Sequence, residues 1–171
     1  MGVTTSSTVA ATYEPIATTT LGSATPTITF NSFSGYTDLM LVFTTKTATN
    51  SRAVRARFNG DTGTNYSYTV LVGNGSSASS SRASNDDKIS LMDVAGTSNA
   101  DYHPIIMQLN NYANTTTYKT ALFRVAGKGE TSAVVALYRS TSAITSIDLS
   151  LTDGSNWASG NTATLWGIKA A

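Results

Sequence analysis

The chain has no cysteine among its 171 residues. That excludes disulfides, thiolate metal sites and a cysteine nucleophile. It has one histidine, His103, and three prolines. General-base chemistry by imidazole, or a zinc site with nitrogen ligands, would rest on that single ring. Charge is scarce as well: 12% of residues are Asp, Glu, Lys or Arg, and the net charge is +1. This is roughly half the usual charged share. No global basic field exists to draw in nucleic acid or an anionic membrane. No apolar run approaches the roughly 20 residues of a membrane span. The opening Met1 to Thr8 lacks the basic and apolar regions of a signal peptide. Gly2 with Thr5 and Ser6 loosely matches a myristoylation start, but no second membrane signal accompanies it. The chain reads as a small complete protein made in the cytoplasm.

Serine and threonine fill the space that charge leaves, at roughly three residues in ten. Threonine is β-branched and packs on a pleated face. Hydroxyls are also cheaper to desolvate than charges, so such a surface suits contact with other protein as well as a plain soluble β domain. Residues 1–12 are small and hydroxylated, and read as an extended arm that orders on a partner or not at all. A single domain is expected over residues 13–171.

Within that domain the pattern is strand, turn, strand. The densest turn signal is Asn59 to Asn65, between Arg52–Phe58 and Tyr66–Val72. Gly60 and Gly63 can supply positive φ there, and Asn59 and Asp61 can bond their own backbone. Alternation puts Ile28 and Phe30 inward. It also puts Leu39, Leu41 and Phe43 on one face of the strongest strand, with Met40 and Val42 on the other. Apolar residues on both faces mark a central strand, or an outer face covered by a neighbour. Val54, Ala56 and Phe58 share a face, as do Ile105, Met107 and Leu109, then Ala121, Phe123 and Val125, then Ile147, Leu149 and Leu151. Pro15 suggests an edge strand or a strand entry. Residues 73–87 have the lowest complexity and read as a long surface loop with at most a short strand inside. No window sustains a 3.6-residue apolar period with a cap at each end. Ten or so short strands between turns predict an all-β antiparallel sandwich, with a jelly roll as the expected topology.

Residues able to carry chemistry occur only as fragments. Asp101 lies two residues from His103, but no Gly-x-Ser-x-Gly frames a nucleophile, and the bland alternative is a polar residue at a strand start before Pro104. Glycosidase action needs two facing carboxyls, and no pair among Glu14, Glu130 and the eight aspartates stands out. Asn59, Asp61, Thr62 and Asn65 are hard oxygen donors of the kind calcium takes, without the spacing of a calcium loop. Asp86 and Asp87 are a weaker version. Arg52, Arg55 and Arg57 with Tyr66 and Tyr68 across the hairpin could touch a glycan, a single strand or a partner, or could pack and pair structurally. Trp166 alternates as a core residue. Trp157 sits in a turn and is the better sugar-stacking platform. The candidate glycan or partner contacts are therefore Arg55, Arg57, Tyr66, Tyr68 and Trp157. No catalytic residue, cofactor or metal is expected.

Four segments together resemble a known family. They are Tyr13-Glu14-Pro15-Ile16-Ala17-Thr18-Thr19-Thr20-Leu21-Gly22, Tyr36-Thr37-Asp38-Leu39, Arg57 through Ser67, and Ala163-Thr164-Leu165-Trp166-Gly167-Ile168-Lys169. They are similar to β-rich structural proteins of tailed bacteriophages, which occur as small virion proteins and as domains of head and tail fibres. The likeness covers residues 13–171. It implies a non-enzymatic virion protein and carries over no catalytic residue. The short arm, with no fibrous or collagen-like shaft, favours a capsid decoration, or cement, protein. Its implied partners are the major capsid protein and itself as a homotrimer, on the capsid surface, without nucleic acid or membrane. The alternative is a fibre module that binds a receptor or a host surface glycan.

Overall fold

The computed structural model describes residues 12–49, 52–91, 98–127 and 129–169. No helix occurs among them. All but the last residue of the expected arm falls outside the described residues. The strands are β1 (Tyr13–Thr20), β2 (Thr27–Asn31), β3 (Asp38–Thr45), β4 (Val54–Phe58), β5 (Tyr66–Gly73), β6 (Ala78–Asp86), β7 (Ile89–Ser90), β8 (His103–Leu109), β9 (Lys119–Gly127), β10 (Glu130–Tyr138), β11 (Ser146–Leu151) and β12 (Thr162–Ile168).

They form an all-β sandwich of two antiparallel sheets. The large sheet runs β1-β12-β3-β8-β9-β10-β5-β6 and the small one β2-β11-β4-β7. The pairing is nested: the first strand pairs with the last and the second with the eleventh. Two hairpins, β5–β6 and β9–β10, dock on each other through β5 and β10 and widen the large sheet. At about 4.8 Å per strand the large sheet is roughly 34 Å wide and the small one roughly 14 Å.

One core fills the space between the sheets, built from the alternations expected above. Leu39, Leu41, Phe43, Ile105, Met107, Leu109 and Phe123 come from the large sheet; Ile28, Phe30, Val54, Ala56, Phe58, Ile147 and Leu149 come from the small one. Period-2 alternation of large aliphatic residues demands this, because a one-residue slip would turn every one of them to solvent. β1 is an edge strand with an irregularity between Pro15 and Ala17, as its proline predicts.

The structure corrects several expectations. Residues 78–86 are a nine-residue strand, not loop. Their small hydroxylated side chains carry no alternation signal, and pairing with β5 supplies the strand. Asn74 closes that hairpin by accepting from the amides of Ser76 and Ser77 at 3.1 and 2.8 Å. The expected hairpin over 59–65 is not one: β4 pairs in the small sheet and β5 in the large one, so this loop crosses between the sheets, and its positive φ values belong to Asn59 (55°) and Gly60 (62°), not to Gly63. Gly63 is instead tightly placed: a Cβ there would sit 3.1 Å from the Asp61 and Asn65 side chains, which would have to give by a few tenths of an ångström.

Trp166 was expected in the core. The inward residues of β12 are Ala163 and Leu165, and Trp166 stands half-buried on the outer face. Gly167, the next inward position, lies under the Tyr36 ring: a Cβ there would meet ring carbons at 2.2–2.4 Å. Gly167→Ala should therefore displace Tyr36 and cost about 1–3 kcal/mol, as overpacking does. An unchanged urea midpoint for that variant would refute the close approach.

Candidate functional site

The sheets expose two outer faces, and they differ in kind. On the small sheet, β4 turns Arg55 and Arg57 outward, and Arg52 lies just before it. All three are engaged internally. Arg52 pairs with Asp153 and Arg57 with Asp87. Arg55 donates from Nε to Ser150 Oγ at 2.8 Å. Lys88 bridges Asp86 and Asp87 at 2.9 Å to each. The bond from Lys88, with Arg57 close by, holds the Asp87 carboxyl down at about 2. The basic group expected at Arg55 and Arg57 is thus present but engaged at home, Arg57 by a carboxylate and Arg55 by a hydroxyl.

The aromatic candidates are core residues. Tyr66 and Trp157 are 0% exposed and Tyr68 is 7% exposed. Tyr66 stacks on Tyr138 with ring centroids 4.9 Å apart, and Phe58 packs edge-on against Tyr138 at 5.6 Å. The Tyr66 hydroxyl donates to the Phe58 carbonyl at 3.2 Å and accepts from the Phe58 amide at 3.1 Å. Tyr68 donates to Asp86 at 3.1 Å. These rings offer no face to a sugar. On β5, Tyr66 and Tyr68 share a face with Val70 and Val72, and that face is inward.

The side-chain oxygens of Asn59 and Asp61 in loop 59–65 are spent on internal partners, within the loop and on β10 and residues 143–145. Asp61 accepts from Gly63 N at 2.7 Å, Asn65 Nδ2 at 2.8 Å and Tyr138 OH at 3.0 Å. Burial pushes the Asp61 carboxyl up, but these three bonds outweigh it and leave the pKa below its ordinary value. Asn59 accepts from Thr145 N and donates to the Ala143 carbonyl, tying the loop to residues 143–145. Among the described residues no group of three or more His, Asp or Glu side chains is placed to hold a metal. His103 is buried at the start of β8 while Asp101 is exposed.

The outer face of the large sheet is different. Register places Thr164, Val42, Ile106, Arg124, Ala133, Leu71 and Ser80 in one row across β12, β3, β8, β9, β10, β5 and β6. The next row holds Trp166, Met40, Gln108, Leu122, Val135, Thr69 and Arg82. Leu71 and Val135 are each 53% exposed, and Leu122 is also open to solvent. A groove of about 750 Å³ crosses β8, β9, β10 and β5, walled by Leu71, Pro104, Ile106, Arg124 and Ala133. The exposed apolar residues of this face thus fall in adjacent rows instead of standing singly, with polar residues between and around them.

Arginine bonding sets this face apart from the other. Arg139 donates to Ser67, Thr64 and Asn85, so four of the six arginines in the chain are engaged. The side chains of Arg82 and Arg124 make no hydrogen bond or ion pair among the described residues, and both stand on this outer face. Neither was singled out from sequence. The signal that pointed here was the apolar outer side of β3, Met40 and Val42, for which a covering neighbour was one of two readings.

No protein-family profile matches the chain, and no curated protein matches it. Among solved structures the chain is similar to a mutant of the alginate lyase Aly36B in complex with an alginate tetrasaccharide. That likeness has 9% identity and a TM-score of 0.37, and covers 90% of this chain and 81% of the other. At that score and identity, nothing about this chain's chemistry follows.

Proposed function

We propose that this chain is a non-enzymatic structural protein that works by docking to other protein, and specifically that it decorates the capsid of a tailed bacteriophage as an oligomer. The observation that carries the docking reading is the uncovered apolar outer face of the large sheet, with its two unpartnered arginines. The phage assignment is supported by the four family-like segments of the sequence. The nested order β1-β12-β3-β8 over β2-β11-β4-β7, with two hairpins inserted, supports reading the sandwich as a jelly roll. On this reading a homotrimer on the capsid surface bridges neighbouring copies of the major capsid protein and gains by multivalency. The alternative, a glycan-binding fibre module built on Tyr66, Tyr68 and Trp157, is disfavoured by the burial of all three rings.

The test is the mass of the purified protein in solution, alone and with capsids that lack it. A trimer that saturates the shell at a fixed ratio is the expected result. Deleting residues 1–12 should abolish attachment and leave the domain folded. A protein that ignores capsids but binds host cells would transfer the role to the receptor-binding alternative.

A further inference from the structure

We infer that the groove on the outer face of the large sheet takes an extended segment of a partner protein that carries an acidic side chain among apolar ones, with Arg124 receiving the carboxylate. The inference deepens the docking reading above and rests on it. Arg124 sits in a row whose neighbours are Ile106 on β8 and Ala133 on β10, with Leu71 beyond. A guanidinium with no partner among the described residues, set among apolar walls, keeps its five donors available in a fork that matches a carboxylate. Apolar side chains of the bound segment, closing over the apolar walls, would shield such a pair from water and strengthen it.

Charge decides among the possible occupants. A second copy laid face to face would bring Arg82 and Arg124 of each copy against an equally basic surface. Among the described residues the acid on this face is Asp38, already bonded to the Asn111 amide at 2.6 Å. Residues 1–11 of the chain contain no Asp or Glu, so they cannot supply the carboxylate either. A partner segment can. Arg82 lies three strands and one row from Arg124, about 16 Å by sheet geometry, so a second acidic group at that distance would add affinity.

The experiment uses the full chain and a bead-displayed library of random heptapeptides. The wild type should enrich peptides with Asp or Glu flanked by apolar residues. Arg124→Glu should lose that preference and enrich Lys or Arg at the same position. A selected acidic peptide should bind Arg124→Glu at least about ten-fold more weakly, or roughly 1.4 kcal/mol. It should also fail on Leu71→Asp, a change at an exposed position that leaves the circular dichroism spectrum intact. Absence of any enriched motif, or the same motif for both proteins, overturns the inference. So does a concentration-dependent dimer that Leu71→Asp dissolves, because the face would then belong to a second copy. Capsid attachment is read in a separate assay, so loss of attachment with peptide selectivity intact would overturn the virion reading alone.

Discussion

Replacing Trp157 by alanine should lower the stability of the sandwich by about 3–5 kcal/mol, the range for truncating a large buried aromatic side chain. That is a large part of the 5–15 kcal/mol that holds a typical domain together. Trp157 is 0% exposed and is the largest of the fully buried side chains. Its backbone bridges Thr25 and Thr47, donating to the Thr25 carbonyl at 2.8 Å and accepting from the Thr25 amide at 3.2 Å. Its indole N–H donates to the Leu149 carbonyl at 3.4 Å. Next to it Asn161 clamps the same end of the sandwich. Asn161 donates to the Lys46 and Ala158 carbonyls at 2.8 and 2.7 Å and accepts from the Lys46 amide at 2.7 Å. Urea unfolding reads the effect as a lower midpoint at constant slope. Trp157→Phe keeps most of the volume and should cost only about 1–2 kcal/mol, chiefly the lost bond and residual space. An alanine variant within about 1 kcal/mol of wild type would mean that Trp157 is not the keystone of this end.

The second large effect is expected at Lys119, whose side chain is almost wholly buried at the start of β9. Its ammonium donates to three carbonyls, of Thr117 at 3.1 Å, Ser140 at 3.2 Å and Thr141 at 2.8 Å. Two terms compete. Burial disfavours the charge and pushes the Lys119 pKa down. Against that, charge-assisted bonds contribute about 1.5–3 kcal/mol each, and here they tie the loop before β9 to the loop after β10. Lys119→Met keeps the aliphatic bulk and strips three acceptors of their donor at once. The expected loss is roughly 2–4 kcal/mol by the cost of buried unsatisfied groups. A methionine variant as stable as wild type would show that desolvation of the ammonium had outweighed its bonds, as happens for some buried charges.

Trp157 and Lys119 also mark where reading by local pattern stops. Trp157 lies in a stretch rich in turn residues, and a turn tryptophan reads as an exposed platform. Its burial follows from the bridges to Thr25 and Thr47, which lie more than a hundred residues away in sequence. Lys119 carries the residue type least expected inside, and its carbonyl partners Ser140 and Thr141 arrive only when β9 and β10 pair. Residues 78–86 fail for the opposite reason. Nothing in a run of serine and alanine distinguishes strand from loop until β5 provides a ladder.

What the amino-acid sequence determined by itself is the alternation: Leu39, Leu41 and Phe43 inward, Ile105, Met107 and Leu109 inward, Tyr66 to Val72 with every second residue buried. A period of two needs only neighbours along the chain, so all-β and sandwich were legible from it. The tertiary structure alone decided which face of β12 is inner, that the arginines of β4 find their partners at home while Arg82 and Arg124 do not, and that the apolar outer residues of six strands share one face. Those facts depend on register between strands distant in sequence, and no local pattern carries register across such distances.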